Sequence, residues 1–547
     1  MTLIPLKYQP PLPTERVIRA EAPDAEAVPL DVLFVGGGPA GLAGAIELAR
    51  LVKQDAERGG TLGDVQIGVL EKAAQLGDHC LSGAVVNPRA LRELFPEVPE
   101  AELPFRGAVE AEAVYVLTEG ASYRIPTPPT MKNHGNRVAS LCELVRWLGG
   151  RAEALGVNVF PGFPVASLLV EGSKVIGVRT VPAGQSRDGT GGEPAVDLTA
   201  RVTVLTEGTR GLLTQGWLEW QKVGAENPQI YALGVKELWE VKRPLDRIVH
   251  TMGWPLPKDA FGGSFMYPMG PGLVALGLVV GLDYENLRLD VHQLLQRMKL
   301  HPLFRAQLEG GEMIEWGAKT IPEGGYYAVP ARRHGDGCLI AGDAAGFVDV
   351  PSLKGIHYAM QSGMEAARAI FRALEAGDTS AAGLASYSEV MDRSYVMADL
   401  KRTRNMRLAF KRGFYGGGAS AALMTLTGGA FPGGRITVVE DAAEPRSLGP
   451  ELNVAPDGRL TFTKVDAVYK SGNQTRDDIP SHLVVGKDVS AEAVELYVHL
   501  CPAGVYERDG DRLVVNAPNC VDCKATDVLG PRWTPREGGS GPRYRQM

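Results

Sequence analysis

No apolar run in the 547 residues is long enough to span a bilayer as a helix. Residues 1–30 are proline-rich and carry Glu15, Glu21, Asp24 and Glu26. They have neither the apolar core of a secretory signal nor the acid-poor, arginine-rich character of a transit peptide. A basic low-complexity arm is also missing and the net charge is −7, so nucleic acid is not an expected partner. A chain that stays in the cytoplasm fits these absences, and leaves the six cysteines reduced or bound to metal. There is no second strand-associated GxGxxG turn, which weakens the case for a dedicated nicotinamide domain. What remains is an ordinary globular composition, 44% hydrophobic and 22% charged, at a length that calls for about two or three domains.

The segment around which the chain is organised runs from Asp31 to Leu42: a short apolar strand, a glycine-rich turn and the start of a helix. Gly36 permits the tight turn, Gly38 lets backbone approach a pyrophosphate, and Gly41 lets helix and strand pack closely. The helix start directs unpaired N–H groups and a positive dipole end at that phosphate. A second strand, Val65 to Leu70, ends in Glu71, placed to take the ribose hydroxyls of an adenosine. Glu71 lies about 30 residues beyond Gly41 rather than the roughly 20 of the minimal motif, and the polar insert from Gln54 to Asp64 accounts for the excess.

Further along, the loop Gly77–Pro88 holds Ser82 and Gly83 where a small-residue segment could run against a flat ring system, with Cys80 read as inert. A hairpin over Val114–Leu117 and Tyr123–Met131, a helix over Val138–Leu155 and a strand at Val157–Phe160 follow. Val202–Gly208 reads as a third apolar strand ending in glycine. From Tyr231 to about Leu282 the chain reads as an antiparallel sheet inserted in the first domain. Its Gly262–Gly263 pair is either a place where a flat ligand meets backbone or a bulge in a strand. Gly342–Asp343 closes a returning strand, with Asp343 suited to accept a hydrogen bond from a polyol chain. The helix that begins near Gly355 would stabilise negative charge on a reduced isoalloxazine. Together these features specify FAD rather than NAD. His357 is an acid–base candidate without a visible partner, and no side chain is assigned a catalytic role.

Lys401, Arg402, Arg404, Arg407, Lys411 and Arg412 form a basic run before the glycine-dotted apolar segment Phe414–Phe431. Either this is a contact with an anionic membrane surface, or it is a solvated helix face followed by a buried turn. From about Leu452 short strands and polar turns hold Cys501-Pro502 and Cys520-Val-Asp-Cys523. That arrangement matches the ligand run of a bacterial-type ferredoxin, except that Thr526 stands where the next cysteine belongs. Three thiolates leave an iron–sulfur cluster or a zinc ion open as readings.

The chain from about Asp31 to Met547 resembles the electron-transfer flavoprotein–ubiquinone oxidoreductase family. The resemblance rests on Gly262-Gly-Ser-Phe265, Val279–Tyr284, Leu308-Glu-Gly-Gly311, Lys354-Gly355, Cys501–Tyr506, Asn519–Cys523 and Gly538–Pro542. It implies an α/β chain: a glutathione-reductase-like FAD domain (31–113, 135–215 and 325–400) after an N-terminal extension (1–30). It further implies an inserted antiparallel-sheet quinone and membrane domain (114–134 and 216–324), a basic and apolar membrane-contact segment (401–451), and a ferredoxin-like iron–sulfur α+β domain (452–547). FAD would contact Gly36, Gly38, Gly41, Glu71, Ser82, Gly83, Gly342, Asp343 and Gly355. Cys501, Cys520 and Cys523 would hold a [4Fe–4S] cluster whose fourth ligand Thr526 puts in question, and Tyr506 would lie near it. Gly262 and Gly263 would meet ubiquinone or menaquinone through backbone. The implied activity is that of an electron-transferring-flavoprotein dehydrogenase, at the cytoplasmic face of a bacterial inner membrane and peripherally attached. Two departures stand out: Thr127-Pro-Pro-Thr130 is polar where relatives are apolar, and Ile356 replaces a threonine near the flavin. The alternative is a FAD-dependent reductase or monooxygenase with a degenerate or zinc-binding C-terminal domain.

Overall fold

The computed structural model describes residues 2–510 and 512–547. One sheet has the strand order Asn158–Pro161, Ile67–Glu71, Val32–Val35, Val202–Leu205, Cys338–Ile340, His334–Gly335. Its first five strands are parallel and the short last one is antiparallel. Val32–Val35 and Val202–Leu205 are buried at every residue, as strands covered on both faces must be. Helices Pro39–Glu57 and Ile356–Glu375 cross over this sheet at glycines. A Cβ on Gly363 would overlap the Ala40 carbonyl oxygen, and one on Gly44 would press on Phe34. That close crossing brings the two helix N-termini to the same edge of the sheet.

A seven-stranded sheet follows the order Glu312–Pro322, Tyr231–Glu240, Leu273–Gly281, Gly262–Pro268, Ile248–Gly253, Glu112–Leu117, Ser122–Ile125. The strands between Tyr231 and Leu282 pair antiparallel, as expected; the sheet becomes mixed where Ile248–Gly253 runs parallel to Glu112–Leu117. The physical reason is connectivity. These two strands come from separate excursions of the chain, and no hairpin constrains their relative direction. Behind the sheet, Lys299 of helix Val291–Lys299 meets Glu237 at 2.8 Å with both side chains fully buried. Trp239 Nε1 donates to the same carboxylate at 2.8 Å.

The segment expected as an extension is woven into the fold. Ile18–Arg19 and Val28–Pro29 are the outer strands of a five-stranded sheet built on Val165–Glu171, Lys174–Thr180 and Asp197–Thr199, while Thr2–Leu3 pairs with Arg446–Ser447. The composition shift near Leu452 likewise marks no separate core. Helices Lys464–Lys470 and Ala491–Leu500, the hairpin Tyr506–Asp509/Arg512–Val515 and helix Ala525–Leu529 pack Ala467, Leu496, Val505 and Val528 into one cluster with Leu233, Leu276 and Trp316 of the large sheet. The Thr320 amide donates to the Cys523 carbonyl at 3.0 Å across that junction. Tyr544 and Met547 pack beside Val85 and Tyr267 in another cluster. Among the described residues, no helix is long and apolar enough to cross a membrane.

Candidate functional site

Gly36 has φ +115° and a Cβ there would overlap the Thr206 carbonyl oxygen; a Cβ on Gly41 would overlap the Gly36 carbonyl oxygen. These two glycines are demanded by the protein's own packing. Gly38, the residue capping helix Pro39–Glu57, is different: a Cβ there would meet no protein atom within 4 Å. Its empty side faces a cavity. Glu71 sits at the end of its strand and accepts from the amides of Gly37 at 3.0 Å and Ala73 at 2.9 Å. Gly342 has φ +70° and its amide donates to Ser362 Oγ at 2.9 Å. Burial raises the neighbouring Asp343 carboxyl to about 6. Gly355 caps the second helix, and Asp343 Oδ1 lies 3.8 Å from where its Cβ would stand.

Gly36, Gly38, Glu71, Gly342, Asp343 and Gly355, but not Gly41, line one cavity of about 1390 Å³, together with Ser82, Gly83, Gly262 and Gly263. A site for a single small ligand usually occupies roughly 300–1,000 Å³, so this one has room for an extended dinucleotide and a second molecule. Six lysines line it, and burial lowers the pKa of four of them. Lys236 Nζ donates to the Ser82 carbonyl at 2.8 Å, and burial lowers it to about 8. Burial also lowers Lys354 to about 8 and Lys524 to about 7, and holds Lys319 below the ordinary lysine value. Sequence reasoning missed these cations, because a lysine in a strand or turn carries no sign that the fold buries it. His357 is absent from the cavity wall; it is buried against Tyr358 and Tyr395, its pKa lowered by burial to about 3. Cys80 lines the cavity, and burial pushes its thiol well up.

At the far end the walls are Gly262, Gly263, Trp254, Leu256 and Phe261, with Pro128–Thr130 opposite. A Cβ on Gly262 would overlap the Val279 carbonyl oxygen, and one on Gly263 would press on the Thr251 carbonyl oxygen. Strand packing therefore requires both glycines. Their backbone reaches the cavity as well, so neither reading of the pair excludes the other. Helix Gly413–Leu426 closes this end, with Phe414, Ala421 and Thr425 on the cavity side. Tyr415 and Leu426 of the same helix also line the cavity and are 81% and 83% exposed.

The basic run before it is not the uniform positive face expected from the sequence. Arg407 is buried in ion pairs with Asp283 at 2.9 Å and Glu323 at 2.6 Å. Lys411 pairs with Asp283 at 2.9 Å and Glu444 at 2.6 Å, while Arg404 donates to the carbonyls of Lys401 and Gly429. Desolvating such cations demands internal partners, and these have found them.

Cys501, Cys520 and Cys523 are buried and line a second, small cavity with Tyr506, Thr526, Lys524 and Trp533. Backbone amides converge on the sulfurs: those of Ala503, Val505 and Tyr506 on Cys501, of Asp522 on Cys520 and of Ala525 on Cys523. Amides directed at thiolate sulfur are the surroundings an iron–sulfur cluster uses to set its potential. A single zinc ion with bonds of 2.3 Å would hold its sulfurs about 3.8 Å apart. Among the described residues, the triads whose ligand atoms all fall within 4.8 Å of one another are His482–Cys520–Asp522 and Glu451–Glu495–His499; the three cysteines form no such triad. Their sulfurs are therefore not drawn together as a single zinc ion would hold them. Lys524 and Trp533 line both cavities and so form the partition between them. Lys524 Nζ lies 4.6 Å from the Trp533 ring centroid and donates to the carbonyls of Thr209 at 3.1 Å and Arg210 at 3.0 Å.

Residues 231–321 match the family model described as ETF-QO, ubiquinone-binding, and residues 458–545 match the one described as electron transfer flavoprotein-ubiquinone oxidoreductase, 4Fe-4S. The mitochondrial electron transfer flavoprotein-ubiquinone oxidoreductase of Oryza sativa subsp. japonica is 38% identical over 95% of this chain and 94% of its own. The Bos taurus protein of the same name is 38% identical over 94% and 89%. Among solved structures, a geranylgeranyl bacteriochlorophyll reductase-like protein from Thermoplasma acidophilum aligns with a TM-score of 0.57 at 19% identity, covering 74% of this chain and 92% of that one. The flavin-dependent brominase Bmp2 aligns with a TM-score of 0.51 at 18% identity, covering 74% and 94%. At such identities the two structures speak to the fold alone.

Proposed function

We propose how this chain works from the premise that it belongs to the electron transfer flavoprotein–ubiquinone oxidoreductase family. It is an electron-transferring-flavoprotein dehydrogenase, passing electrons from reduced electron transfer flavoprotein to quinone with FAD and an iron–sulfur cluster as cofactors. The cofactors supply one- and two-electron redox chemistry; the protein supplies their placement, burial and hydrogen bonding.

The observation that carries the site assignment is the shared partition. One cavity joins the glycine turn to the Gly262–Gly263 strand, and Lys524 and Trp533 line both it and the three-cysteine chamber. In this reading Gly36 and Gly41 shape the turn that presents the bare backbone of Gly38 to the FAD pyrophosphate, Glu71 takes the adenosine ribose, and Gly342 and Asp343 the ribityl chain. Ser82, Gly83 and Gly355 border the isoalloxazine, and Lys236 fixes the Ser82 carbonyl. Buried cations around the cavity favour an anionic occupant. Cys501, Cys520 and Cys523 hold the cluster, with the family's [4Fe–4S] type as the starting point. The backbone of Gly262 and Gly263 meets ubiquinone or menaquinone. Residues 31–113, 135–215 and 325–400 then act as the FAD domain, 114–134 and 216–324 as the quinone domain, and 452–547 as the cluster domain.

The exposed apolar face of helix Gly413–Leu426, at the cavity's far end, supports peripheral contact with a quinone-bearing membrane. Six unpaired cysteines suit the reducing side of a bacterial inner membrane. The test uses the purified holoprotein under anaerobic conditions with reduced electron transfer flavoprotein and a short-chain quinone. Quinol should form in proportion to flavoprotein oxidised. Flavin bleaching by NADPH at turnover rate, without oxidation of the flavoprotein, would favour the reductase or monooxygenase reading instead.

A further inference from the structure

Resting on the assignment of the three cysteines to the cluster, we propose that they are its only thiolates and that its fourth iron faces the Thr526 hydroxyl. That iron then has an oxygen-lined, exchangeable position that small anionic or thiol donors can take. The family's 4Fe-4S type needs four ligands, and the walls of the small cavity offer few. Besides the three cysteines, its polar side chains are Tyr506, Thr526, Lys524 and Trp533; Leu483, Ala503, Val505 and Val521 complete it. Lys524 is held by the carbonyls of Thr209 and Arg210. Thr526 Oγ1 lies 3.4 Å from the Tyr506 hydroxyl, which keeps the threonine side chain at the cavity wall.

The nearby carboxylates are committed elsewhere. Asp522 is gripped by Arg536 at 2.9 Å and by Trp533 Nε1 at 3.1 Å, and also pairs with Lys72. Asp527 accepts from Arg210 Nε at 2.6 Å and from the Trp533 amide at 2.9 Å. Turning either toward the cavity would strand a buried guanidinium. The remaining cysteines lie elsewhere: Cys142 donates to the Met547 carbonyl, Cys338 is in the parallel sheet, and Cys80 lines the larger cavity. His482 is the nearest rival. Both its ring nitrogens are buried without a partner, and it lies within 4.8 Å of Cys520 Sγ. It does not line the cavity, and ligand atoms on different irons of a cubane stand further apart than that. It is therefore placed to donate to Cys520, not to occupy a fourth corner.

The experiment is ⁵⁷Fe Mössbauer and pulsed EPR spectroscopy on the full-length protein purified anaerobically, with iron, acid-labile sulfide and FAD quantified. The native chain should show one iron in four with distinct parameters. Thr526→Cys should make the four alike, and Thr526→Ser should reproduce the native pattern. Thr526→Val should lose about a quarter of the iron while keeping its sulfide and FAD, and become EPR-active when oxidised; its FAD content shows that it has folded. Four equivalent irons in the native chain, or a Thr526→Val spectrum identical to native, would overturn the inference. So would a strong nitrogen coupling that vanishes in His482→Phe. Flavin without iron and sulfide in both the native chain and Thr526→Cys would overturn the cluster assignment itself; evenly bound iron overturns only the role given to Thr526.

Discussion

Replacing Gly38 and Gly41 one at a time by alanine separates what the cofactor requires from what the fold requires. At Gly41 the new methyl would overlap the Gly36 carbonyl oxygen, backbone against backbone, with Thr206 Oγ1 at 2.8 Å on another side. Neither can step aside without moving the strand–helix turn, so overpacking should cost about 1–3 kcal/mol. The melting temperature of the flavin-free protein should fall by a few degrees. At Gly38 the methyl meets no protein atom, and the backbone angles, φ −84° and ψ −174°, are open to alanine. The capping change costs at most about 1 kcal/mol. If the pyrophosphate lies against that bare backbone, the same methyl displaces it. A loss of about 1.4–2.8 kcal/mol is a ten- to a hundredfold rise in Kd for FAD, and the stabilisation given by saturating FAD shrinks by the same amount. The assay is calorimetry of both variants without and with FAD, plus fluorescence titration of the flavin-free proteins. A Gly38→Ala protein that binds FAD as tightly as the native chain would refute the placement of the pyrophosphate.

Lys299→Met should destabilise the protein by about 3–5 kcal/mol in urea unfolding, because it strands the fully buried Glu237 carboxylate; adding Glu237→Gln should recover most of the loss. Burial raises the Asp441 carboxyl to about 8, whereas in an unfolded chain it ionises near pH 4. Between those values the folded state retains a proton that the unfolded state has released, so this group lowers stability as pH rises from about 4 to about 8. Asp441→Asn should gain on the native protein progressively across that interval, as followed by urea melts at a series of pH values. Leu426→Asp and Tyr415→Ser remove the most exposed apolar groups of helix Gly413–Leu426. At roughly 1.5–3 kcal/mol for a fully buried side chain, co-sedimentation with anionic vesicles should drop about tenfold or more, with the bound FAD retained.

The glycine turn was legible because its requirements are local. A positive φ at Gly36 and a carbonyl in the place of the Gly41 Cβ are written into a dozen consecutive residues. Glu71 was legible for the same reason, as the end of an apolar run. The Gly262–Gly263 pair was visible, but its cause was not, since the obstructing carbonyls belong to Val279 and Thr251 on neighbouring strands. The basic run misled because charge density says nothing of pairing: Arg407 finds Asp283 across 124 residues of chain. The parallel strand pair and the shared core of the cysteine segment were beyond reach for a related reason. Both depend on which distant elements meet, and composition near Leu452 looks the same whether the segment stands alone or leans on the large sheet.

The partition of Lys524 and Trp533 has a consequence for how the molecule handles charge. With the cofactors placed as proposed, the same two side chains face both chambers, and an electron would cross inside the chain without any element having to swing, tether or undock. The interval is as rigid as the packing that sets it: Trp533 is pinned to Asp522 and Asp527 through its ring and amide nitrogens. Such an arrangement gives up adaptability for constancy. On that placement, solvent viscosity would govern how quickly the external carrier arrives and leave the internal crossing untouched.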